Sequence, residues 1–277
     1  MSRADLGFLE NAETLQALSQ LMWDASDAIL AIYESSDFGI AAKDDHSPVT
    51  QADLAAHQVL VAGLSALTPD IPIVSEEDPE SLKIPQTHSR YWLIDPLDGT
   101  KEFIQRNGEF TCNLALIDSN RTICGWVSVP VLGLLYHGGQ RRKAQRLDRD
   151  GSSTHIRCAK QGTSIRVVAS MSHLNPETEA FIAAIETPVK LIQAGSSLKF
   201  LQIAEGAADL YPRLAPTCEW DTAAAQAVLE GAGGSVMQMD GLPLVYGKPV
   251  ILNPYFVAHG SSHQGCEILA STTAYYR

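Results

Sequence analysis

The sequence predicts a mixed fold of the α+β and α/β classes, divided into two subdomains. Three observations lead to this prediction. Two stretches near the start carry apolar residues at helical spacing, short β-branched runs follow them, and strand-like and helix-like segments alternate toward the end. The chain of 277 residues is long enough for one large domain or for two subdomains.

The first two elements are predicted to be amphipathic helices. Residues 10–34 form the first, because apolar side chains recur there at spacings of three and four: Leu15, Leu18, Met22, Ala25, Ile29 and Ile32. The second lies in "QADLAAHQVLVAGLSALTPD". Thr50 precedes it as an N-cap, and Asp53 follows three residues later as in a capping box.

Short strands of one sheet are predicted next, behind the helical pair. The runs are β-branched and apolar, and turn residues separate them: "IPIVSEED", "RYWLIDPLDG", "TCNLALID", "TICGWVSVP" and "GLLYHGG". Residues 138–163 are polar and locally basic without aromatic residues, so we interpret them as an exposed connection between two halves.

The second half is predicted to be an α/β unit with crossover helices. Strand-like runs ("SIRVVAS", "PVKLIQ", "DLYPRL") alternate there with helix-like runs ("SSLKFLQIAEG", "DTAAAQAVLEGAGG"). We place the boundary between an N-terminal half, residues 1–150, and a C-terminal half, residues 151–277.

The charge and composition exclude some classes of function. The net charge of −12 disfavours unassisted binding to nucleic acid or to an anionic membrane, although acidity also serves solubility alone. A metal ion would therefore have to connect an anionic ligand to this protein. The five cysteines form no CxxC pair, which disfavours both a disulfide framework and a cysteine zinc site. The N-terminus lacks the pattern of a signal peptide, so we expect a cytoplasmic protein.

Carboxylates occur where the predicted elements end. Asp95 and Asp98 follow an apolar strand, and Glu76 follows another; Asp53 and Asp221 begin helices. If the loops converge, these oxygens suit Mg²⁺, which prefers hard carboxylate and carbonyl ligands. Each position also has an ordinary explanation, namely a helix cap, a first-turn acid, an acidic surface turn or a turn around Pro96 and Gly99. The metal hypothesis depends on their joint occurrence.

Gly99 and Thr100 come directly after Asp98 in the sequence. Thr100 would cap a short helix, or both residues would present N–H groups to a phosphate oxygen. The Thr100 hydroxyl would then hold a water molecule.

Four motifs together resemble the signatures of the lithium-sensitive, Mg²⁺-dependent phosphatase superfamily that includes inositol monophosphatase and fructose-1,6-bisphosphatase. They are "SPVTQAD" (47–53), "SEED" (75–78), "DPLDGTKEF" (95–103) and "EWDTAAAQAVLEGAGG" (219–234). The likeness covers about residues 25–256. It implies a layered αβαβα fold, like that of the sugar phosphatases, with the active site in the cleft between the halves.

The resemblance also implies the roles of residues. The Mg²⁺ ligands would be Glu76, Asp95, the Leu97 carbonyl, Asp98 and Asp221. Asp53 would reach a more weakly held ion, so that the site takes two or three Mg²⁺ ions, and Li⁺ would inhibit. Thr100, with Glu76 or Asp45, would orient and deprotonate the attacking water.

"DGTKEF", "GSSLKF" and "YPRLAPTCEWD" resemble the 3′(2′),5′-bisphosphate nucleotidase branch of this superfamily. The expected reaction is removal of the 3′-phosphate of adenosine 3′,5′-bisphosphate to give AMP, in sulfur assimilation. The second phosphate needs a cation, for which Lys199 is the candidate, although a surface lysine explains the residue equally well. The other candidate substrate contacts are Gly99, Thr100, Ser170, Ser172, His173, Ser196, Ser197, Arg213 and Asp221.

Three alternatives stay open from the sequence. Inositol 1-phosphate has one phosphate and would not need Lys199. A glycosidase would also use paired carboxylates, but without a metal. A non-catalytic protein with this fold is the third, since a fold does not determine function. Homodimer formation and peripheral membrane association are also left open.

Overall fold

The computed structural model describes residues 3–35, 39, 41–42, 48–160, 162–170 and 174–260. Two large β-sheets with helices between and outside them form the fold. Within these residues, no helix combines the length and apolar character that crossing a membrane requires.

The α-helices of the described part are α1 (Ala12–Tyr33), α2 (Gln51–Leu67), α3 (Thr100–Ile104), α4 (Pro176–Ala183), α5 (Leu198–Ala204) and α6 (Trp220–Gly231). Short 3₁₀ helices span Arg3–Glu10, Pro79–Gln86 and Pro130–Leu132. The strands are β1 (Ala41–Ala42), β2 (Pro48–Val49), β3 (Ile73–Ser75), β4 (Arg90–Asp98), β5 (Thr111–Asp118), β6 (Arg121–Val129), β7 (Leu134–Gly139), β8 (Arg142–Asp148), β9 (Ser153–His155), β10 (Ile165–Ala169), β11 (Val189–Gln193), β12 (Leu210–Arg213), β13 (Ser235–Gln238) and β14 (Phe256–His259).

Both predicted N-terminal helices are confirmed. The predicted spacing places Leu18, Met22 and Ile29 in the core as the buried stripe of α1. At the start of α2, the Thr50 N–H donates to Asp53 Oδ2 at 2.7 Å, and the Ala52 N–H donates to Thr50 Oγ1 at 3.1 Å. The capping box predicted from the sequence is therefore present.

The larger sheet has seven strands in the order β3-β4-β5-β6-β7-β8-β9. β3 and β4 are parallel, and the other neighbours are antiparallel. It contains all five predicted strands of the N-terminal half. β4 and β5 are buried along almost their whole length because helices cover both faces of the sheet.

The interpretation of residues 138–163 as a connection is wrong for most of that range. β8 and β9 lie within it and complete one edge of the larger sheet. Ala144 is buried, whereas its neighbours in β8 are partly or fully exposed. A strand at a sheet edge buries few side chains, so its polar sequence resembles that of a loop.

The smaller sheet has five strands in the order β11-β10-β12-β14-β13. β10 pairs in parallel with β11 and β12, and α4 and α5 provide the crossovers. α5 and α6 were predicted from the sequence, whereas α4 was not. β14 is antiparallel to both of its neighbours. β13 and β14 were not predicted from the sequence.

The layers follow the expected αβαβα order. α1 and α2 cover the face of the larger sheet that carries Trp92 and Trp126, and α6 covers the opposite face with Leu93 and Val127. The smaller sheet packs on α5 and α6, and α4 packs on its outer side. Gly125 of β6 allows close packing of α6, because a Cβ there would overlap the backbone of Ala224.

The two sheets follow one another along the chain. The larger sheet ends at His155, and the smaller begins at Ile165. The division of the chain at residue 150 stays a prediction.

Candidate active site

Asp95 and Asp98 lie on a bulged end of β4. Asp95 pairs with Asn113 and Asp98 with Thr111, so β4 has one residue more than β5 between these pairs. In a regular strand, residues three apart point to opposite faces. The extra residue reverses that alternation, and both carboxylates point to the same side. The Leu97 N–H stabilises the bulge by donating to Asp95 Oδ1 at 3.1 Å.

Asp221 comes from a distant part of the chain, in the first turn of α6. The Cys218 N–H donates to Asp221 Oδ2 at 2.8 Å, which fixes the rotamer of the carboxylate. Glu219, not Asp221, occupies the N-cap position. Asp221 is therefore not the N-cap residue, and the Glu219 side chain makes no capping hydrogen bond either.

The three aspartates form one cluster. Asp95, Asp98 and Asp221 each offer a carboxylate oxygen, and these oxygens lie within 4.8 Å of one another. Asp95 Oδ2 is buried and has no hydrogen-bond donor among the described residues. Such an oxygen is costly to bury as an anion unless a cation compensates it. The donor set is all oxygen and fits Mg²⁺.

The charges of the cluster raise its pKa values. Burial and the charges of Glu76, Asp98 and Asp221 raise the pKa of Asp95 well above its usual range. Burial, with Glu76 contributing, raises the pKa of Asp98 to about 6 even though Lys199 acts in the opposite direction. Burial and the charge of Asp98 likewise raise the pKa of Asp221. A bound divalent cation would remove this repulsion.

Glu76 lies next to the cluster. It follows β3, and its N–H donates to the Ile94 carbonyl of the parallel strand β4 at 3.2 Å. This pairing places Glu76 beside Asp95, whose pKa its carboxylate raises. The structure thus brings Glu76 to the three aspartates, as the sequence predicted.

Asp53 and Thr100 meet at the edge of the cluster. Asp53 is buried, and its Oδ1 accepts from Thr100 Oγ1 at 3.4 Å while its Oδ2 serves the capping box of α2. The same hydroxyl lies 3.4 Å from the Leu97 carbonyl oxygen. Among the described residues, Asp53 is therefore a carboxylate in contact with Thr100. Of the two carboxylates predicted to act with Thr100, Glu76 lies beside Asp95 and Asp45 lies outside the described residues.

Gly99 connects β4 to the short helix α3. Its φ of 94° is in the left-handed region, which glycine adopts without strain. A Cβ there would lie 3.2 Å from both the Glu109 carbonyl oxygen and the Ser196 Cβ. Any larger residue would disturb the place where α3 and the 195–197 turn approach the aspartates.

Two cationic side chains lie near the cluster, because the charge of Lys199 acts on Asp98 and that of Arg213 acts on Asp221. Lys199 is only 5% exposed, donates to the Ser196 carbonyl at 2.8 Å and lies 5.5 Å from the centre of the Tyr211 ring. Burial lowers the pKa of Lys199 to about 8, and the charge of Arg213 adds to this effect. Arg213 Nε is buried and has no acceptor among the described residues. Lys199 is thus buried, so the alternative explanation from the sequence, that it is a surface lysine, is wrong.

Ser196 and Ser197 face Thr111. Ser197 Oγ lies 2.7 Å from Thr111 Oγ1 and donates to Asn113 Oδ1 at 3.0 Å, whereas Ser196 Oγ lies 3.2 Å from the threonine. A backbone hydrogen bond from Ser197 lowers the pKa of Asp98. Ser197 is therefore a buried residue that hydrogen-bonds to the cluster through Asp98.

Thr111 and Asn113 were not among the predicted site residues. They are polar residues at alternate positions of an otherwise apolar strand, and that pattern marks them as one polar face. Ser170 is described and lines a small cavity with Tyr211 and Arg213. Ser172 and His173 lie outside the described residues.

Comparison with known proteins gives consistent results. The model of the inositol monophosphatase family matches residues 10–270. The 3′(2′),5′-bisphosphate nucleotidase CysQ of Escherichia coli K12 is 43% identical over 244 residues, which are 87% of this chain and 98% of that protein. CysQ of Buchnera aphidicola is 40% identical over 233 residues, 84% of this chain and 87% of that protein.

Solved structures show the same fold. CysQ from Bacteroides thetaiotaomicron superposes with a TM-score of 0.81 at 38% identity, covering 92% of this chain and all of that one. The Thermotoga maritima IMPase superposes with a TM-score of 0.73 at 20% identity, covering 95% and 97%.

Proposed function

The chain belongs to the inositol monophosphatase family, and we propose that it removes the 3′-phosphate of adenosine 3′,5′-bisphosphate to give AMP. It is a phosphatase of the 3′(2′),5′-bisphosphate nucleotidase type. The observation that carries this conclusion is the 43% identity to a nucleotidase over 98% of that protein's length. The carboxylate cluster supports it, because phosphate hydrolysis by this family requires a divalent cation.

We assign the cation site to Glu76, Asp95, the Leu97 carbonyl, Asp98 and Asp221, with Asp53 at its edge. The unpartnered Asp95 Oδ2 and the raised pKa values of the three aspartates support this assignment. When bound, Mg²⁺ polarises the phosphoryl group and makes a water molecule more acidic. Two or three Mg²⁺ ions and inhibition by Li⁺ are part of the proposal.

Thr100 and Asp53 are assigned to the attacking water. The Thr100 hydroxyl donates to Asp53 and so directs an oxygen lone pair toward a water molecule at the cluster. The water gives its proton to Thr100 as Thr100 gives its own to Asp53, while the water oxygen bonds to phosphorus. The bond from phosphorus to the ribose 3′-oxygen breaks, and this oxygen leaves with the bonding electron pair and takes a proton from a solvent water molecule to become the 3′-hydroxyl. Glu76, beside Asp95, is the alternative proton acceptor.

Lys199 and Arg213 are assigned to the second phosphate. Burial is the main cause of the lowered pKa of Lys199, and the charge of Arg213 adds to it. A phosphate between the two cationic side chains would relieve their repulsion. The unpartnered Arg213 Nε offers a donor. Ser196 and the small cavity next to Tyr211 would complete the nucleotide side.

Inositol 1-phosphate hydrolysis is the second candidate. The fold is shared with inositol monophosphatases, but the likeness to the T. maritima protein, at 20% identity, concerns the fold alone. A buried lysine and a partly buried arginine beside the aspartates favour the substrate with two phosphates.

The role in sulfur assimilation, a cytoplasmic location and a homodimer belong to the same proposal. The first rests on the CysQ relatives, which are similar over nearly their whole length.

A panel of substrates tests the proposal. Phosphate release is measured with adenosine 3′,5′-bisphosphate, its 2′,5′ isomer, the sulfated analogue, inositol 1-phosphate and fructose 1,6-bisphosphate, in Mg²⁺, in EDTA and in Mg²⁺ with Li⁺. We expect the highest kcat/KM for the adenosine bisphosphates, loss of activity in EDTA and inhibition by Li⁺. Preference for inositol 1-phosphate would reject the nucleotide assignment, and activity in EDTA would reject the metal site.

A further inference from the structure

A second carboxylate, Glu219, lies two residues before Asp221 and is fully buried. Its Oε2 accepts the Gly247 N–H at 2.7 Å, and its Oε1 accepts the Lys248 N–H at 3.1 Å. The ammonium group of Lys248 forms an ion pair with the same Oε1. Three donors from one turn therefore hold a buried anion beside the proposed metal ligand.

The segment that contains Lys248 also forms hydrogen bonds with the backbone before α6. We call residues 245–253 the strap. Ile251 accepts the Glu219 N–H at 3.0 Å, and the Asn253 N–H donates to the Thr217 carbonyl at 2.8 Å. Lys248 Nζ additionally donates to the Val245 carbonyl at 2.9 Å, which closes the strap on itself.

These contacts reach Asp221 through the two peptide groups on either side of the Cys218 Cα atom. The Cys218 N–H holds Asp221 Oδ2 at 2.8 Å, and the Cys218 carbonyl accepts from Asn253 Nδ2 at 2.7 Å. The orientation of the Asp221 carboxylate thus depends on residue 218, and residue 218 depends on the strap. The Glu219–Lys248 pair is the charged contact that keeps the strap in place.

Within the proposed function, we propose that Glu219 and Lys248 are positioning residues that set the Mg²⁺ affinity of Asp221. They act through the strap and contact neither substrate nor metal. A carboxylate already held in its coordinating rotamer loses little conformational entropy when it binds a cation. Loss of the hydrogen bonds that orient a metal ligand typically weakens metal binding about 10–100-fold. Without the Lys248 ammonium group, the buried Glu219 carboxylate would be uncompensated, which would destabilise the contacts of the strap.

If the Glu219–Lys248 ion pair had only a structural role, a different result would be expected. It would lower the thermal stability when removed, but the folded protein would bind Mg²⁺ as before. Arg166 and Asp209 provide a matched control in the smaller sheet, because their half-buried ion pair also combines side-chain and backbone contacts. Neither residue has a role in the proposed site.

The experiment compares Glu219→Gln, Lys248→Met and the control Asp209→Asn by calorimetric titration with Mg²⁺ and by phosphate release across Mg²⁺ concentrations. We expect the Mg²⁺ dissociation constant to rise about 10-fold or more in the first two variants. Saturating Mg²⁺ should restore kcat to within about threefold, and Lys248→Arg should retain most of the affinity because it keeps the charge. Asp209→Asn should lower Tm with unchanged Mg²⁺ affinity.

The idea is overturned if Lys248→Met lowers Tm but binds Mg²⁺ with wild-type affinity. If Glu219→Gln does not fold, Lys248→Met and Lys248→Arg decide the question, since Lys248 is partly exposed. Wild-type protein that binds no Mg²⁺, or that binds Mg²⁺ but hydrolyses none of the phosphate esters, points instead to failure of the proposed function.

Discussion

The hydroxyl of Thr100 lies 3.4 Å from Asp53 Oδ1, although 47 residues separate them. Thr100 begins α3 directly after the bulged end of β4, and Asp53 begins α2. The pair joins the first turn of one helix to that of another, at the edge of the aspartate cluster. Asp53 thereby has a role that its position in a capping box alone did not indicate.

Thr100→Ala should lower kcat about 100-fold or more, because proton transfer by a positioned group contributes roughly 10²–10⁴-fold. The Mg²⁺ dissociation constant should change little, since the carboxylates remain. Steady-state kinetics and calorimetric Mg²⁺ titration measure the two effects.

Thr100→Ser is the control for this change. It keeps the hydroxyl and should stay within about 10-fold of the wild-type kcat. Equal loss in both variants would indicate that the threonine methyl group, and not the hydroxyl, matters.

Asp98→Asn should reduce turnover by orders of magnitude and leave the fold intact. Asparagine removes one charge from a cluster whose pKa values are raised by burial and mutual repulsion, so the metal-free Tm should equal or exceed that of the wild type. The increase in Tm on adding Mg²⁺ should largely disappear. Asp150→Asn, at an exposed turn, should leave both properties unchanged. Near-normal phosphate release by Asp98→Asn would remove Asp98 from the proposed ligands.

Mg²⁺ should stabilise the protein more at pH 7.5 than at pH 5. The folded pKa of Asp98, about 6, exceeds the unfolded value near 3.9, so the metal-free fold binds the proton more tightly and loses stability as the pH rises from about 4 to 6. Mg²⁺ requires the deprotonated carboxylates, so its stabilising effect appears over the same range and continues to grow above it.

The difference in Tm between Mg²⁺ and EDTA, measured at each pH, isolates this effect from other titrating groups. The difference should be small at pH 5 and should increase through pH 6. A difference that does not depend on pH would mean that Mg²⁺ binds elsewhere.

Lys199→Ala should raise KM for adenosine 3′,5′-bisphosphate much more than for inositol 1-phosphate. The reason is that only the first substrate has a second phosphate for Lys199 and Arg213 to contact. Lys199 also opposes the raised pKa of Asp98, so a smaller effect on both substrates is expected as well. Lys190 is an exposed lysine of β11, and Lys190→Ala serves as the control. It should leave KM unchanged for both substrates. Equal increases for both substrates would support a role toward Asp98 alone.

Most elements could be predicted because their patterns are local. The periodicity of α1, the capping box of α2 and the apolar runs of β4 to β7 each depend on residues close in sequence. β8 and β9 were mistaken for a loop. β8, next to the sheet edge, buries only Ala144, and the edge strand β9 is exposed throughout, so neither has the apolar pattern of a central strand. The motifs for Glu76, Asp95, Asp98 and Asp221 were equally local.

The sequence by itself determined most of the helices and central strands and the carboxylates at their ends, because helix periodicity, caps and turns act over a few residues. Only the tertiary structure decided which of these groups meet. The bulge that turns Asp95 and Asp98 to one side, the contact of Asp53 with Thr100 and the burial of Lys199 all arise from the packing of distant segments. No local pattern encodes such contacts, since their free energy comes from the assembled layers around them.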